Sequence, residues 1–366
     1  AGQSGSVVVM DVNTGAIISI VSAPGYDPNA FTTTVTSAMW KQLNEDPLKP
    51  LLNKAITGMY PPGSTYKPIV ALAALSSGAM KPTQRVHCSG ATSLGNHVFH
   101  CWKRGGHGSM DMHLAIKNSC DVYFYECARR TGIAAIAEMS RKFGLGQTYG
   151  LEIPGEKGGL MPDPEWKLRA RSDIWRDGDT YNVGIGQGAV LTTPLQLAVM
   201  TARLANGGKA VVPHVIRSFG GVERAMPEPE DMGLDPEHVA VVHSGMDAVT
   251  NQGGTGARSR INIEGFDMAG KTGTAQVRRL TAELRGRSSD SIPWEFRDHA
   301  LFIAFAPVVQ PRYAISVVVE HGGGGSKTAA PIAKDIMTLV GERDPVAQKL
   351  FVPPSRTASV ERGGKV

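Results

Sequence analysis

Tyr60-Pro61-Pro62-Gly63-Ser64-Thr65-Tyr66-Lys67-Pro68 places a serine three residues before a lysine, where a helix must begin. Two prolines and a glycine cannot extend a helix backwards, and Pro68 falls in the first turn, where a missing N–H costs nothing. The following run, Ile69-Val70-Ala71-Leu72-Ala73-Ala74-Leu75-Ser76-Ser77, is apolar nearly all round and predicts a central buried helix. Residues i and i+3 share one helix face, so Lys67 is within reach of the Ser64 hydroxyl. A serine is a poor nucleophile until a neighbouring base takes its proton, and a lysine serves once desolvation or a second cation lowers its pKa. The position at a helix start also favours developing negative charge. S-x-x-K alone is common by chance, and the rest of the chain gives it weight.

A second lysine stands in Phe266-Asp267-Met268-Ala269-Gly270-Lys271-Thr272-Gly273-Thr274-Ala275-Gln276-Val277, which reads as a strand with a glycine where a ligand must come close. The Lys271 ammonium with the Thr272 and Thr274 hydroxyls suits a carboxylate, and the backbone N–H groups of Ser64 and Thr274 suit an oxyanion. For this motif alone a plain edge strand is the simpler reading. Between the two lies Ser119-Cys120-Asp121, in the slot of the middle motif of serine acyltransferases.

With these three in order, the chain resembles the penicillin-binding proteins and serine β-lactamases. Six stretches narrow the resemblance: MYPPGSTYKP (59–68), GHG (106–108), SCDVYFYE (119–126), VGIGQG (183–188), TTPLQLA (192–198) and AGKTGTAQV (269–277). They look like the elongation-type class B transpeptidases, the penicillin-binding protein 2 group, over roughly residues 5–340. The resemblance implies an α+β fold: a five-stranded antiparallel sheet sandwiched by helices, beside an all-helical lobe, with the site in the groove between them. It implies a peptidoglycan D,D-transpeptidase acting on stem peptides ending in D-Ala-D-Ala and acylated by β-lactam antibiotics. Ser64 is then the nucleophile, Lys67 its base, Ser119 and Lys271 the proton relay to the leaving group, and Thr272, Gly273, Thr274 and Trp102 substrate-binding residues. The implied partners are a membrane glycosyltransferase and elongation-complex proteins. The implied location is the periplasmic face of the inner membrane, held by an N-terminal helix and pedestal that this stretch of chain lacks. Asp121 stands where many relatives have asparagine; a carboxylate accepts hydrogen bonds and donates none unless protonated, which leaves its contact with substrate open.

Three other activities fit the same motifs. A serine β-lactamase needs a base to hydrolyse the acyl-enzyme, and no glutamate stands in a recognisable loop context for that. A D,D-carboxypeptidase and a β-lactam sensor without turnover share the nucleophile.

Composition agrees with a globular enzyme: 366 residues, 42% hydrophobic, with 43 glycines for turns. Length alone suggests two domains, but no linker interrupts the motif-bearing span. The expectation is one two-lobed transpeptidase domain over 1–343 and a disordered tail over 344–366. The net charge of +5 is spread along the chain with no recognition motif, which argues against nucleic acid. It fits a pyrophosphate-bearing partner or an anionic membrane surface, and equally ordinary solubility. No stretch approaches the ~20 apolar residues of a membrane span. Along the chain, 6–10 and 16–21 predict a hairpin, 24–31 a loop, 109–143 helix, 146–180 surface loops, 192–206 and 238–250 helices, and 227–236 a loop. A mobile loop over the site is expected at 278–296, strands at 301–306 and 313–320, and a helix at 327–340.

Four cysteines remain: Cys88, Cys101, Cys120 and Cys127. Cys88, Cys101, His107 and Cys120 offer three thiolates and an imidazole, the donors of a closed structural zinc site. Their spacing matches no standard zinc motif, and a Cys88–Cys101 disulfide is the rival in an oxidising compartment. His100 is an alternative ligand to His107. Cys127 reads as a buried thiol. The resemblance favours zinc, because some relatives are reported to hold it here with carboxylates in place of Cys88 and Cys101.

Overall fold

The computed structural model describes residues 2–32, 34–277 and 291–344. Most of the stretch expected to form a mobile loop, 278–290, and the tail from 345 onward lie outside the described residues.

In chain order the strands are β1 (Ser4–Asp11), β2 (Ile17–Ala23), β3 (Val86–Cys88), β4 (Ala91–Leu94), β5 (His97–His100), β6 (Gly108–Met110), β7 (Ser218–Phe219), β8 (Val222–Glu223), β9 (Ala269–Ala275), β10 (His299–Ala306) and β11 (Tyr313–Glu320). The helices are α1 (Ser37–Glu45), α2 (Lys54–Thr57), α3 (Lys67–Ser76), α4 (Met112–Asn118), α5 (Asp121–Lys142), α6 (Pro164–Arg171), α7 (Asp177–Gly184), α8 (Pro194–Ala205), α9 (Pro236–Asn251) and α10 (Ala329–Arg343).

The main sheet has the order β2-β1-β11-β10-β9 and is antiparallel throughout. β10 and β11 are nearly continuous apolar runs because both their faces are covered. α8 packs on one face and α10 on the other. Phe302, Ala304, Ile315 and Val317 meet Met337 and Ala333 on the α10 side, while Leu301, Ile303 and Phe305 join the larger core shared with α8 and the helical lobe. In that lobe α3 lies against α5 and α9, α4 against α9, and α5 against α7. The lobe also bears two short ribbons, β3–β6 and β4–β5, which carry the cysteine-bearing loop.

The early hairpin, the late strands and α8 to α10 fall where the sequence places them. Three expectations are corrected. The 146–180 stretch is not only loop: α6 starts behind Asp163, whose carboxylate accepts from Trp166 N–H with Pro164 next, and α7 starts where Asp179 accepts from Arg176 N–H. These are helix-start signals that the glycines, prolines and tryptophans around them obscure. The 109–143 helical span is broken twice: at Ser119, which caps α4 in the left-handed region (φ 54°, ψ 43°), and at Gly132, whose non-helical backbone (φ 78°, ψ 156°) kinks α5. Further, α3 begins at Lys67, not at Ser64; a 3₁₀ turn over Gly63–Tyr66 leads into it. Every α3 residue from Lys67 to Leu75 is buried, so the nucleophile's turn is seated on the most enclosed helix of the lobe.

Candidate active site

The turn carrying Ser64 is clamped between the edge strand β9 and the 183–188 loop. Gly63 N–H donates to Gly186 C=O at 2.8 Å, and Gln187 Nε2 donates to Thr274 C=O at 3.1 Å. Gly63 and Gly186 have φ of 53° and 73°, and a Cβ on Gly186 would stand 2.0 Å from the Gly63 oxygen. Gly186→Ala is therefore expected to destabilise the fold by more than about 1 kcal/mol and to slow acylation of Ser64, read by urea denaturation and labelled-penicillin uptake. The glycine of the second motif is also explained by packing. A Cβ on Gly273 would lie 2.7 Å from Thr65 Cγ2, so the close approach there is made by the serine turn itself and not only by a ligand.

Within this clamp the three motifs converge. Lys67 is fully buried, and its Nζ donates to Asp121 Oδ1 at 2.7 Å, Ser119 C=O at 2.9 Å and Ser119 Oγ at 3.2 Å. These bonds occupy all three ammonium donors. Among the described residues none joins Lys67 to Ser64, whose side chain is half-buried. Phe124 lies under the ammonium, its ring centre 5.4 Å away. Asp121 thus faces the lysine; its other oxygen accepts from Trp102 N–H at 2.9 Å. Lys271 is fully buried, and desolvation first, then the charge of Lys67, push its pKa well below the ordinary lysine value against the pull of Asp121. Thr272 shares its hydroxyl with Thr255 at 2.7 Å, and Thr274 is exposed.

The two N–H groups expected to hold an oxyanion are placed for it. In a strand a residue's N–H and C=O point to the same side. The Thr274 C=O meets Gln187 away from β10, so the Thr274 N–H faces the groove as well. Ser64 N–H falls between Gly63 N–H, which is bonded to Gly186, and Thr65 N–H, which is bonded to Pro62 C=O, at the open start of the turn.

Trp102 forms the rim. Its indole N–H reaches the carbonyls of Asn118 and Ser119, both at 3.1 Å, while the side chain remains 60% exposed.

Behind this rim the four residues singled out as metal ligands meet: one donor atom each from Cys88, Cys101, His107 and Cys120 lies within 4.8 Å of the others. All four cysteines are free thiols. His107 Nδ1 is 3.7 Å from Cys88 Sγ and 3.5 Å from Cys101 Sγ. A tetrahedral zinc with bonds of ~2.3 Å to sulfur and ~2.0–2.1 Å to nitrogen sets those atoms about 3.6 Å apart, so the donor set fits the ion. A hydrogen bond with Cys120 brings the Cys101 thiol down to about 5, while the same bond and burial push Cys120 up. His100 is exposed and outside the cluster, and Cys127 is buried on α5, where desolvation raises its pKa.

Sequence reasoning assigned no role to Gln187, Gly186 or Thr255. The first two lay inside a recognised stretch with no chemistry attached, and Thr255 carries no local signal because its partner Thr272 is brought to it only by the fold.

The sheet, the helical lobe and the three converging motifs define a penicillin-recognising transpeptidase fold. The chain belongs to the penicillin-binding protein transpeptidase domain family, whose model matches residues 5–338. It is 38% identical over 357 residues to the peptidoglycan D,D-transpeptidase MrdA of Acinetobacter baumannii, covering 94% of this chain and 52% of that one. It is similar to the structure of penicillin-binding protein 2 of Pseudomonas aeruginosa in complex with WCK 5153 (TM-score 0.84, 38% identity, 94% of this chain and 75% of that one). It is also similar to penicillin-binding protein 2 of Helicobacter pylori in complex with MreC (TM-score 0.82, 32% identity, 92% of this chain and 60% of that one). The chain spans about half the length of the curated relatives it matches.

Proposed function

We propose that this chain is the catalytic domain, over 1–343, of a peptidoglycan D,D-transpeptidase of cell elongation. The observation that carries the reading is the convergence of Lys67, Ser119 and Asp121 on one buried ammonium, with Lys271 buried beside it. Ser64 Oγ attacks the penultimate carbonyl of a D-Ala-D-Ala stem and forms the acyl-enzyme. Lys67 takes the hydroxyl proton once it holds a lone pair, and the N–H groups of Ser64 and Thr274 stabilise the oxyanion. Lys271, whose proton is weakly held, feeds it through Ser119 to the departing D-alanine amine. Thr272 and Thr274 hold the terminal carboxylate, Gly273 keeps the strand close to the substrate, and Trp102 forms the rim. Asp121 acts through Lys67, since both its oxygens are engaged within the protein. An amine of a neighbouring stem then displaces Ser64.

Zinc on Cys88, Cys101, His107 and Cys120 is part of this proposal, in a supporting role. It would fix Cys120 between the two catalytic residues Ser119 and Asp121, and Cys101 beside the Trp102 N–H that holds Asp121. The proposal includes β-lactams as acylating inhibitors, a membrane glycosyltransferase and elongation-complex proteins as partners, and the periplasmic face of the inner membrane as location; the similar penicillin-binding protein 2 of Helicobacter pylori is seen in complex with MreC. No helix among the described residues is long and apolar enough to cross a membrane.

Intact-mass spectrometry after penicillin tests the reading. One adduct, mapping to Ser64 and persisting for many minutes, is expected. Its rapid loss with accumulating hydrolysed drug favours a β-lactamase, and the absence of any adduct sinks both.

A further inference from the structure

Thr255 is a half-buried residue in the chain between α9 and β9, and nothing in the chemistry above uses it. Its backbone is held twice. The Thr255 N–H donates at 3.3 Å to the carbonyl of Lys117, in the last turn of α4 and two residues before Ser119. The Thr255 carbonyl accepts from Ser326 Oγ at 2.7 Å. The glycines on either side close the turn, with Gly254 N–H on the Ala248 carbonyl and Gly256 N–H on the Val249 carbonyl. These bonds shape the turn without the Thr255 side chain, which leaves the hydroxyl for another task.

Among the described residues that hydroxyl has one partner, Thr272 Oγ1, at 2.7 Å. Thr272 is itself nearly buried, and its carbonyl accepts from Lys271 Nζ at 3.1 Å. Each hydroxyl carries a single proton, and an ionised carboxylate only accepts. Thr272 therefore binds a carboxylate only by pointing its own proton at it. With that proton directed to Thr255, a lone pair would face the carboxylate instead. With the Thr255 proton directed to Thr272, the Thr272 proton is left for the groove, and the bond it receives polarises it. The same bond holds the Thr272 hydroxyl in one staggered position. An apolar side chain of the same shape at 255 would supply neither effect.

We infer that Thr255 is a positioning residue for the carboxylate end of the stem peptide: it donates to Thr272 Oγ1 and so aims the Thr272 proton at that carboxylate. The inference rests on the transpeptidase reading, in which Thr272 takes the carboxylate. Thr255 acts through Thr272 alone and transfers no proton to the reacting atoms. Its effect falls on affinity, before Ser64 attacks.

The test is stopped-flow acylation over a range of penicillin concentrations, with the carboxylate of the drug standing in for that of the stem. Thr255→Val keeps the shape and removes the hydroxyl. It is expected to raise the concentration for half-maximal acylation about fivefold, the order of one neutral hydrogen bond, and to leave the limiting rate unchanged. Thr255→Ala is expected to match it, so the result does not depend on how a second methyl group packs. Thr255→Ser retains the donor and is expected to restore the wild-type concentration. Thr255→Val/Thr272→Val is expected to acylate no more weakly than Thr272→Val, because Thr255 has nothing left to act through. Equal half-maximal concentrations in wild type and Thr255→Val, no recovery in Thr255→Ser, a loss confined to the limiting rate, or effects that multiply in the double variant each overturn the inference, while penicillin uptake leaves the transpeptidase reading intact. A wild-type protein that takes no penicillin ends that reading, and this inference with it.

Discussion

Lys67→Ala is expected to reduce penicillin acylation of Ser64 by several orders of magnitude and, in addition, to destabilise the domain. Removing one member of a catalytic group that acts as a unit typically costs about as much as removing the group. From the sequence, truncating Lys67 removes a base and leaves a helix. The structure adds a second cost. Asp121, nearly buried, would lose its 2.7 Å partner and keep only the Trp102 N–H. Breaking a buried ion pair from one side costs about 3–5 kcal/mol, most of it the charge left uncompensated. The two effects separate in Lys67→Ala/Asp121→Asn: the neutral amide needs no cation, so stability should return while acylation does not. Urea denaturation reads the first and stopped-flow acylation the second. Acylation near the wild-type rate in Lys67→Ala would place the proton acceptor elsewhere.

The contrast between what could and could not be read from the chain follows from the range of the interactions. The nucleophile's turn, the early hairpin and the late strands are specified by residues a few positions apart, so prolines, glycines and alternating or continuous apolar runs report them directly. The break at Ser119 is also local, but a left-handed serine leaves no compositional mark, and the apolar pattern runs across it. Asp121 was legible as a residue and not as a contact, because its two partners lie 54 and 19 positions away on other elements. The same holds for Thr255 and Thr272. The metal-ligand set lay between the extremes. The donor types were telling while the spacing matched nothing, since its ligands sit on β3, at the end of β5, in the loop before β6 and between α4 and α5. Only the β3–β6 pairing, which sets Cys88 opposite Gly108, brings the first cysteine to His107.

Cys120→Ser should lower three quantities together: zinc content, melting temperature and acylation rate. Protein purified without chelator is expected to hold about one zinc per chain, and the variant much less. Structural zinc contributes about 10–16 kcal/mol of apparent binding energy in small metal-dependent domains. Here a sheet and a helical lobe fold around the site, so a smaller share falls on stability. A third of that figure is about 4 kcal/mol, which at about 2–4 °C per kcal/mol lowers the melting temperature by about 10 °C. The acylation rate falls for a separate reason. Cys120 precedes Asp121 and follows the strained Ser119, and Cys101 precedes the Trp102 N–H that orients Asp121, so releasing the cluster loosens both groups that hold Lys67. Cys127→Ser is the control, because Cys127 is buried on α5 outside the cluster and should retain zinc and acylation. Melting temperature and acylation that survive Cys120→Ser would make the cluster incidental. Metal-free protein in which peptide mapping finds Cys88 disulfide-linked to Cys101 would rule the zinc site out.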